Sequence, residues 1–392
     1  MQTGMYWRLS GFYFAYFIVL GTMVPYFPLY LKNLGMDSWH IGLLTSVLIG
    51  TKIVAPNLWG WLADHTHKRM LIIRLGCLLA PLCFIAVFWR QDFTSLVLVI
   101  FLYSFFWNAV LAQFEAVTLF YLGSHPEQYS RIRLWGSIGF IVSVTGFGWV
   151  FDHAALTWFP WFIFTGSLLI FASSWLVPEP QTDKASRLNV EGEPFLARLS
   201  QVHVMVFFLV CFLMVLSHGP YYTFFTLLME QHTHTRTTIG LLWSLGVLAE
   251  IVMFWFMHRL LPRFGPKNLL LVSLLVTSIR WVFLAFFPQE LGLMLFGQCL
   301  HAFSFGAFHS AAIEMVRRCF SVQQSGKAQA LYSAVSFGAG NALGAMISGA
   351  LWEWNSALPF LFSAVVCLLA AALVHRFLSS FSITMTPLKS DG

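Results

Sequence analysis

Four ionisable side chains, Lys52, Glu115, Glu250 and Arg280, stand alone deep inside long apolar stretches of a 392-residue chain. Apolar surroundings favour the neutral form of a carboxyl group, and a neighbouring guanidinium favours the ionised form. Glu250, with Arg280 on the next stretch, is therefore the first candidate to load and release a proton near neutral pH, and Glu115 is the second. His301 and His309 belong to the residue type that changes charge near neutrality, which suits a proton relay or a substrate hydrogen bond. Eight residues separate them, roughly 80° around a helix and 12 Å along it. They can line one cavity but would not chelate one metal ion, so no metal site is expected. Lys52 and Arg280 are candidate partners for a substrate carboxylate. His218, beside Gly219-Pro220-Tyr221-Tyr222, is either a ligand contact or part of a broken helix. Trp243, with Tyr26, Phe27 and Trp107, could stack on an aromatic ligand or simply pack.

A charge at the centre of a membrane helix costs about 2.5–3.5 kcal/mol on an insertion scale, so four cost on the order of 10 kcal/mol before pairing. Two positive and two negative charges can cancel, so they must face a shared aqueous cavity or one another. Pure structural pairing between helices is the alternative. Glu314, with Arg317 and Arg318 three and four residues on, reads as a local ion pair. Arg131 and Arg133 are expected to meet Glu127, lipid headgroups or Glu115.

The elements that must position these groups are membrane helices. Apolar residues make up 58% of the chain and charged ones only 10%, far from the ~25% charged residues of a soluble domain. Continuous apolar runs, without strict alternation, exclude a β-barrel. Twelve spans fit: 6–31, 40–62, 70–89, 93–122, 131–151, 157–177, 203–229, 237–260, 268–287, 290–317, 327–351 and 357–379. The first lacks a cleavage pattern and reads as an uncleaved helix. The net charge of +6 is scattered between spans, which argues against a nucleic-acid partner. Lys32, Arg90 and Arg236 fall on one side, Lys52 and Arg280 inside spans, and the other 17 of the 22 Lys and Arg on the opposite side. That bias predicts a multi-pass membrane protein with both termini cytoplasmic. The six cysteines lie in or beside apolar runs without metal-type spacing and read as packing residues.

The chain also repeats itself. Ile41-Gly42-Leu43-Leu44 recurs 198 residues later as Ile239-Gly240-Leu241-Leu242, and the same shift carries Lys52 onto Glu250 and Gly21 onto Gly219. The turn Asp64–Arg69 shifts onto Pro262–Lys267. This predicts an all-α membrane protein of two pseudo-symmetric six-helix bundles, 1–180 and 201–392, joined by a cytoplasmic linker, 181–200. Gly136, Gly139, Gly146 and Gly148 in span five match Gly338, Gly340, Gly344 and Gly349 in span eleven, as close-packed sliding helices require. Pro25, Pro28 and Pro56 are expected to bend their helices.

Gly60-Trp61-Leu62-Ala63-Asp64, followed by Lys68-Arg69, resembles the signature loop of the major facilitator superfamily. Gly60, Leu62, Ala63, Asp64, Lys68 and Arg69 match that pattern, while His65 and His67 replace a basic residue and a glycine. The physical expectation is that Asp64 caps or pairs with a neighbouring helix end while the basic residues meet headgroups and carbonyl ends. The resemblance implies a gating loop, a substrate site at mid-membrane between the bundles, and a place in the bacterial cytoplasmic (inner) membrane. Within the superfamily the chain resembles the 3-phenylpropionate permease branch, allied to nucleoside and oligosaccharide proton symporters. The stretches that carry this are Arg133-Leu134-Trp135-Gly136-Ser137, Leu242 to Glu250, Arg280-Trp281, His301 and His309. The acid, Arg and His of spans eight to ten are similar to the lactose permease arrangement. Where that family has a Glu one turn after the His, this chain has Ser304 and Ala312.

The sequence therefore predicts a proton-coupled symporter of a small organic, aromatic acid, working by alternating access. A neutral substrate such as a nucleoside or oligosaccharide is the alternative. A membrane-embedded acyltransferase using His301 or His309 as base is a rival from another class; it predicts neither the repeat nor the loop. No phosphate loop suggests ATP-driven transport, and no cofactor is expected. The expected partners are the substrate, protons and the lipid bilayer, with the chain acting as a monomer.

Overall fold

In hydrocarbon a backbone must satisfy its own hydrogen bonds, so apolar runs of this length fold as helices. A computed structural model describes residues 3–123, 125, 128–180 and 194–378 and is helical along nearly all of them. The spans are α1 (Thr3–Asn33), α2 (Ser38–Thr66), α3 (Arg69–Phe88), α4 (Phe93–Leu122), α5 (Tyr129–His153), α6 (Leu156–Ser174), α7 (Val202–Gln231), α8 (236–264), α9 (266–286), α10 (Leu291–Cys319), α11 (Gln323–Trp352) and α12 (Leu358–Phe377). Helices α8 and α9 form one run of 51 residues, more than double the ~20 that cross a bilayer. Gly265 divides it, at a φ of 72° and ψ of 157° that glycine alone adopts readily, with Pro262 and Pro266 on either side. The twelve spans match those read from the sequence to within a few residues. Most of the proposed linker (181–193), Glu127, Lys184, Arg187 and Lys389 lie outside the described residues.

The repeated glycines make equivalent contacts. A Cβ on Gly21 of α1 would stand 2.8 Å from the Phe140 carbonyl oxygen of α5, and Gly219 of α7 packs in the same way on Gly344 of α11. Gly42 of α2 meets Ala345 and Gly349 of α11, while Gly240 of α8 meets Val144 of α5. The first pair fastens helices within a bundle; the second joins one bundle to the other.

One face carries the turns after α1, α3, α5, α7, α9 and α11 and is poor in Lys and Arg, with acidic residues outnumbering them; the opposite face is basic. The halves are tied together at the acidic face. Asp152, near the end of α5, accepts hydrogen bonds from the Arg236 and Thr237 backbone N–H groups, both 2.9 Å, and from the Thr237 hydroxyl at 2.6 Å. It thus caps a helix of the other bundle. The Trp39 N–H donates to Glu353 Oε1 (3.3 Å), and the Thr145 and Ser244 hydroxyls pair at 2.8 Å. The conformation is closed at this face.

Candidate functional site

Helix breaks place the site. Pro56 has no N–H to continue α2, and Thr51–Ile53 winds as a 3₁₀ turn before the helix resumes at Ala55. The Asn108 amide of α4 fills the gap, donating to the Leu48 carbonyl and the Thr51 hydroxyl, both at 2.9 Å. Lys52 sits on that turn, half-buried. Among the described residues no hydrogen-bond or ion-pair partner is found for its ammonium group. Ile53 beside it packs on Gly338 of α11, so this turn touches the opposite bundle.

Glu115 of α4 pairs with Arg133 of α5 at 3.8 Å, and the Arg133 guanidinium lies over the Phe17 ring at 4.2 Å. Arg133 thus meets Glu115, one of its expected partners.

In the other bundle, Glu250 Oε1 lies 2.7 Å from His301 Nε2. Arg280 Nη1 donates to His301 Nδ1 at 3.0 Å, Nε to the Gly297 carbonyl at 3.0 Å, and Nη2 to Gln298 Oε1 at 3.1 Å. A guanidinium can only donate, so His301 Nδ1 must accept and the ring proton sits on Nε2, aimed at Glu250. Ser304 Oγ lies 2.9 Å from the same Nδ1. Arg280 is completely buried, with its guanidinium 4.2 Å above the Tyr221 ring and 4.7 Å from that of Trp281. The Tyr221 hydroxyl donates to Gln298 Oε1 at 3.0 Å, closing the shell.

In this structure protein encloses Arg280, and its Nε, Nη1 and Nη2 all donate within the bundle. It does not pair directly with Glu250, because the His301 ring stands between them. His309 has other partners in this structure: its Nδ1 lies 3.1 Å from the Tyr332 hydroxyl and its ring stacks on Phe305. The two histidines are held apart by a π-helical stretch, Ala302–Ala307. His218 lies at the break between Val202–Leu216 and Gly219–Gln231, beside Pro220, with Nδ1 2.8 Å from the Met214 carbonyl. Trp243 is buried, bonded to Thr226 (3.2 Å) and packed on Tyr221; Tyr26, Phe27 and Trp107 are likewise buried in ring clusters. These four are packing residues in this conformation.

In the signature turn, Asp64 pairs with Arg69, whose Nη1 donates to Gln113 Oε1 on α4 at 2.8 Å. Gly60 gives that amide room, since a Cβ there would lie 3.0 Å from Gln113 Nε2. Asp64 does not cap α3. Glu179 does, accepting from the Met70 and Leu71 N–H groups at 2.9 and 3.3 Å. Lys68 is exposed just before α3. His67 adopts a φ of 54°, the left-handed conformation that explains the usual glycine at this place. Glu314 forms the expected local pairs with Arg317 and Arg318, each at 2.7 Å.

Sequence signals missed Gln298, Ser304, Tyr221 and Glu179. The first three are neutral residues whose role appears only once Arg280 is seen to need acceptors and a ring to lie on.

Comparison with known proteins fits this geometry. Residues 6–364 match the model of the MFS_1 like family. The chain is 27% identical over 389 residues to a probable 3-phenylpropionic acid transporter of Escherichia coli (strain K12), covering 95% of this chain and 98% of that one. It is 28% identical over 376 residues to the maltose permease of Geobacillus stearothermophilus, covering 94% and 93%. The crystal structure of nucleoside transporter NupG superposes with a TM-score of 0.80 at 18% identity, over 98% of this chain and 100% of that chain.

Proposed function

This chain belongs to the MFS_1 like family and is a multi-pass secondary transporter of the major facilitator type, and we propose that it moves a small organic, aromatic acid together with protons. Its relatives are transporters, so the acyltransferase alternative is set aside. The observation that carries the reading is the pairing of unlike sites across the halves: Lys52, unpartnered among the described residues, and Glu250, held by His301. Lys52 receives the substrate carboxylate, with Arg133 in reserve behind Glu115. Glu250 carries the proton. His301 presents its Nε2 hydrogen to Oε1, leaving Oε2 as the oxygen that is protonated from the cavity. Arg280 fixes the tautomer of His301 and so positions Glu250; it acts through another residue and touches no substrate. His309 and His218 belong to the wall of the cavity.

Residues 1–180 rock against 201–392 in the cytoplasmic membrane, as a monomer, with the basic face and both termini cytoplasmic. The closed acidic face then makes this conformation one that admits substrate from the cytoplasmic side. Gly60, Asp64, Lys68 and Arg69 hold α2, α3 and α4 as one rigid piece during that motion.

The similarity to a probable 3-phenylpropionic acid transporter supports the acid. The neutral alternative, a nucleoside or oligosaccharide, draws on the Glu115–Arg133 pair, which offers acceptors and donors to hydroxyl groups, and on the similarity to a maltose permease. Proteoliposomes with an imposed pH gradient decide between them. The proposal expects uphill accumulation of labelled 3-phenylpropionate, with uridine and maltose left at equilibrium. Accumulation of either neutral compound, with none of the acid, would overturn it.

A further inference from the structure

The turn between α2 and α3 is locked by charge, and its counterpart 198 residues later is built differently. In the first turn Asp64 pairs with Arg69, Arg69 donates to Gln113, and Glu179 caps α3. The same shift carries Arg69 onto Lys267, so a base is kept. Asp64, however, falls on Pro262, Gln113 on Ala311 and Glu179 on Phe377, so each acceptor of the lock is replaced. What joins α8 to α9 is the tight break at Gly265, with a single non-helical residue between two spans.

Three bases surround this break: Arg259 and Arg263, one turn apart on α8, and Lys267 at the start of α9. Both arginines are exposed, and among the described residues no hydrogen-bond or ion-pair partner is found for any of the three. The Arg263 guanidinium lies 5.3 Å from the centre of the Phe264 ring. Like charges four residues apart repel on a helix, so the pair gains from an anion that bridges it. The bundle has none to spare. From Gln201 to Leu378 the sequence holds no Asp and five Glu, and only Glu314 falls on the basic face, against seven Lys and Arg. Glu314 is already held by Arg317 and Arg318.

Depth identifies the anion at hand. Arg236 opens α8 at the acidic face. At the helical rise Trp255 lies roughly 28 Å further along, Arg259 roughly 35 Å and Arg263 roughly 40 Å. With a hydrocarbon layer of ~30 Å, Trp255 stands at its inner edge and the two guanidinium groups lie in the headgroup layer. We propose that an anionic phospholipid occupies this turn and supplies the negative charge that Asp64 supplies in the other half, its phosphate bridging Arg259 and Arg263. Guanidinium forks grip phosphate oxygens in pairs, and Lys267 adds a point charge beside them. Trp255, Phe256 and Phe264, which are 75%, 46% and 45% exposed, flank the bases and receive the acyl chains. The inference is independent of which substrate is carried.

The test is lipid binding to the purified full-length chain, read by native mass spectrometry with phosphatidylglycerol and phosphatidylcholine of identical acyl chains. Phosphatidylglycerol is expected to bind about 5-fold tighter or better. Arg259→Gln combined with Arg263→Gln should bring the two lipids within about 2-fold of each other. Pro262→Asp, which restores a carboxylate to the turn, should weaken phosphatidylglycerol about 5-fold, whereas Arg317→Gln, at a base already matched by Glu314, should not. Equal binding of the two lipids by the unmodified chain would overturn the proposal, and so would a preference that survives the double substitution. An equal loss in Arg317→Gln would reduce the preference to general charge and reject the site. Displacement of the lipid by soluble glycerophosphate would reject the bilayer as the source of the anion. Stronger lipid binding after Glu191→Gln with Glu193→Gln would assign the bases to carboxylates of the linker and overturn it as well.

Discussion

Replacing Asp152 with alanine should release the closed acidic face. Asp152 accepts three hydrogen bonds from the first turn of α8, two from backbone N–H groups at 2.9 Å and one from the Thr237 hydroxyl at 2.6 Å. These bonds cross from one bundle to the other, so they exist only while that face is shut. Losing a helix cap typically costs about 1 kcal/mol, and removing a negative charge from a helix N-terminus a further ~0.3–1 kcal/mol. Asp152 is exposed to solvent, which argues for the lower part of the combined range. A loss of about 1.5 kcal/mol corresponds to roughly a tenfold shift toward the conformation open at this face. Arg236 still donates to the Phe151 carbonyl and Gly240 still packs on Val144, so closure is weakened and not abolished. Spin labels at Ala154 and Thr233, in a background without the six native cysteines, would report the change by pulsed electron resonance. The long-distance population should rise about tenfold in Asp152→Ala. Thr237→Val, which removes one of the three bonds, should give a rise of about threefold. An unchanged or shortened distance distribution in Asp152→Ala would refute the latch.

Three further outcomes follow from the same geometry. Lys52→Gln should lower affinity for an acidic substrate more than about 10-fold while leaving binding of its amide analogue nearly unchanged, as competition binding would show. Asp64→Asn breaks the pair with Arg69 and should slow exchange in proteoliposomes with little change in affinity in detergent; a large affinity loss would instead mean direct contact. Gly240→Ala places a Cβ 2.5 Å from the Val144 carbonyl oxygen and should open the same face as Asp152→Ala, measurable with the same label pair.

The sequence was informative about depth and poor about partners. Apolar runs located every span, and the recurrence of Ile-Gly-Leu-Leu matched glycines that do equivalent work, Gly42 on α11 and Gly240 on α5. Depth follows from position along a helix, so Lys52, Glu115, Glu250 and Arg280 could be placed inside the membrane from spacing alone. Which groups meet depends on helix rotation and local breaks, which leave weak marks in sequence. The π-segments of α10 and α11 set where His301 and His309 point, yet Ala302–Ala307 reads as an ordinary apolar turn. Arg280 was matched to Glu250 by charge, whereas His301, Gln298 and the Gly297 carbonyl take its hydrogens. Glu179 lies beyond the last apolar residue of its span, and nothing local marks it as the cap of α3.

Glu250 carries the central claim, and uphill transport by Glu250→Gln tests it most directly. Glutamine keeps an oxygen for the His301 Nε2–H, 2.7 Å away in the parent, but cannot gain or lose the proton. A monoanion moving with one proton carries no net charge, so a membrane potential, worth about 2.3 kcal/mol per charge per 100 mV, supplies no drive and only the pH gradient acts. The measurement is uptake of labelled acid into proteoliposomes at a fixed pH gradient, alongside counterflow without one. The account predicts that Glu250→Gln loses accumulation and retains counterflow. Accumulation that persists in Glu250→Gln would contradict it and move the proton to Glu115 or a histidine.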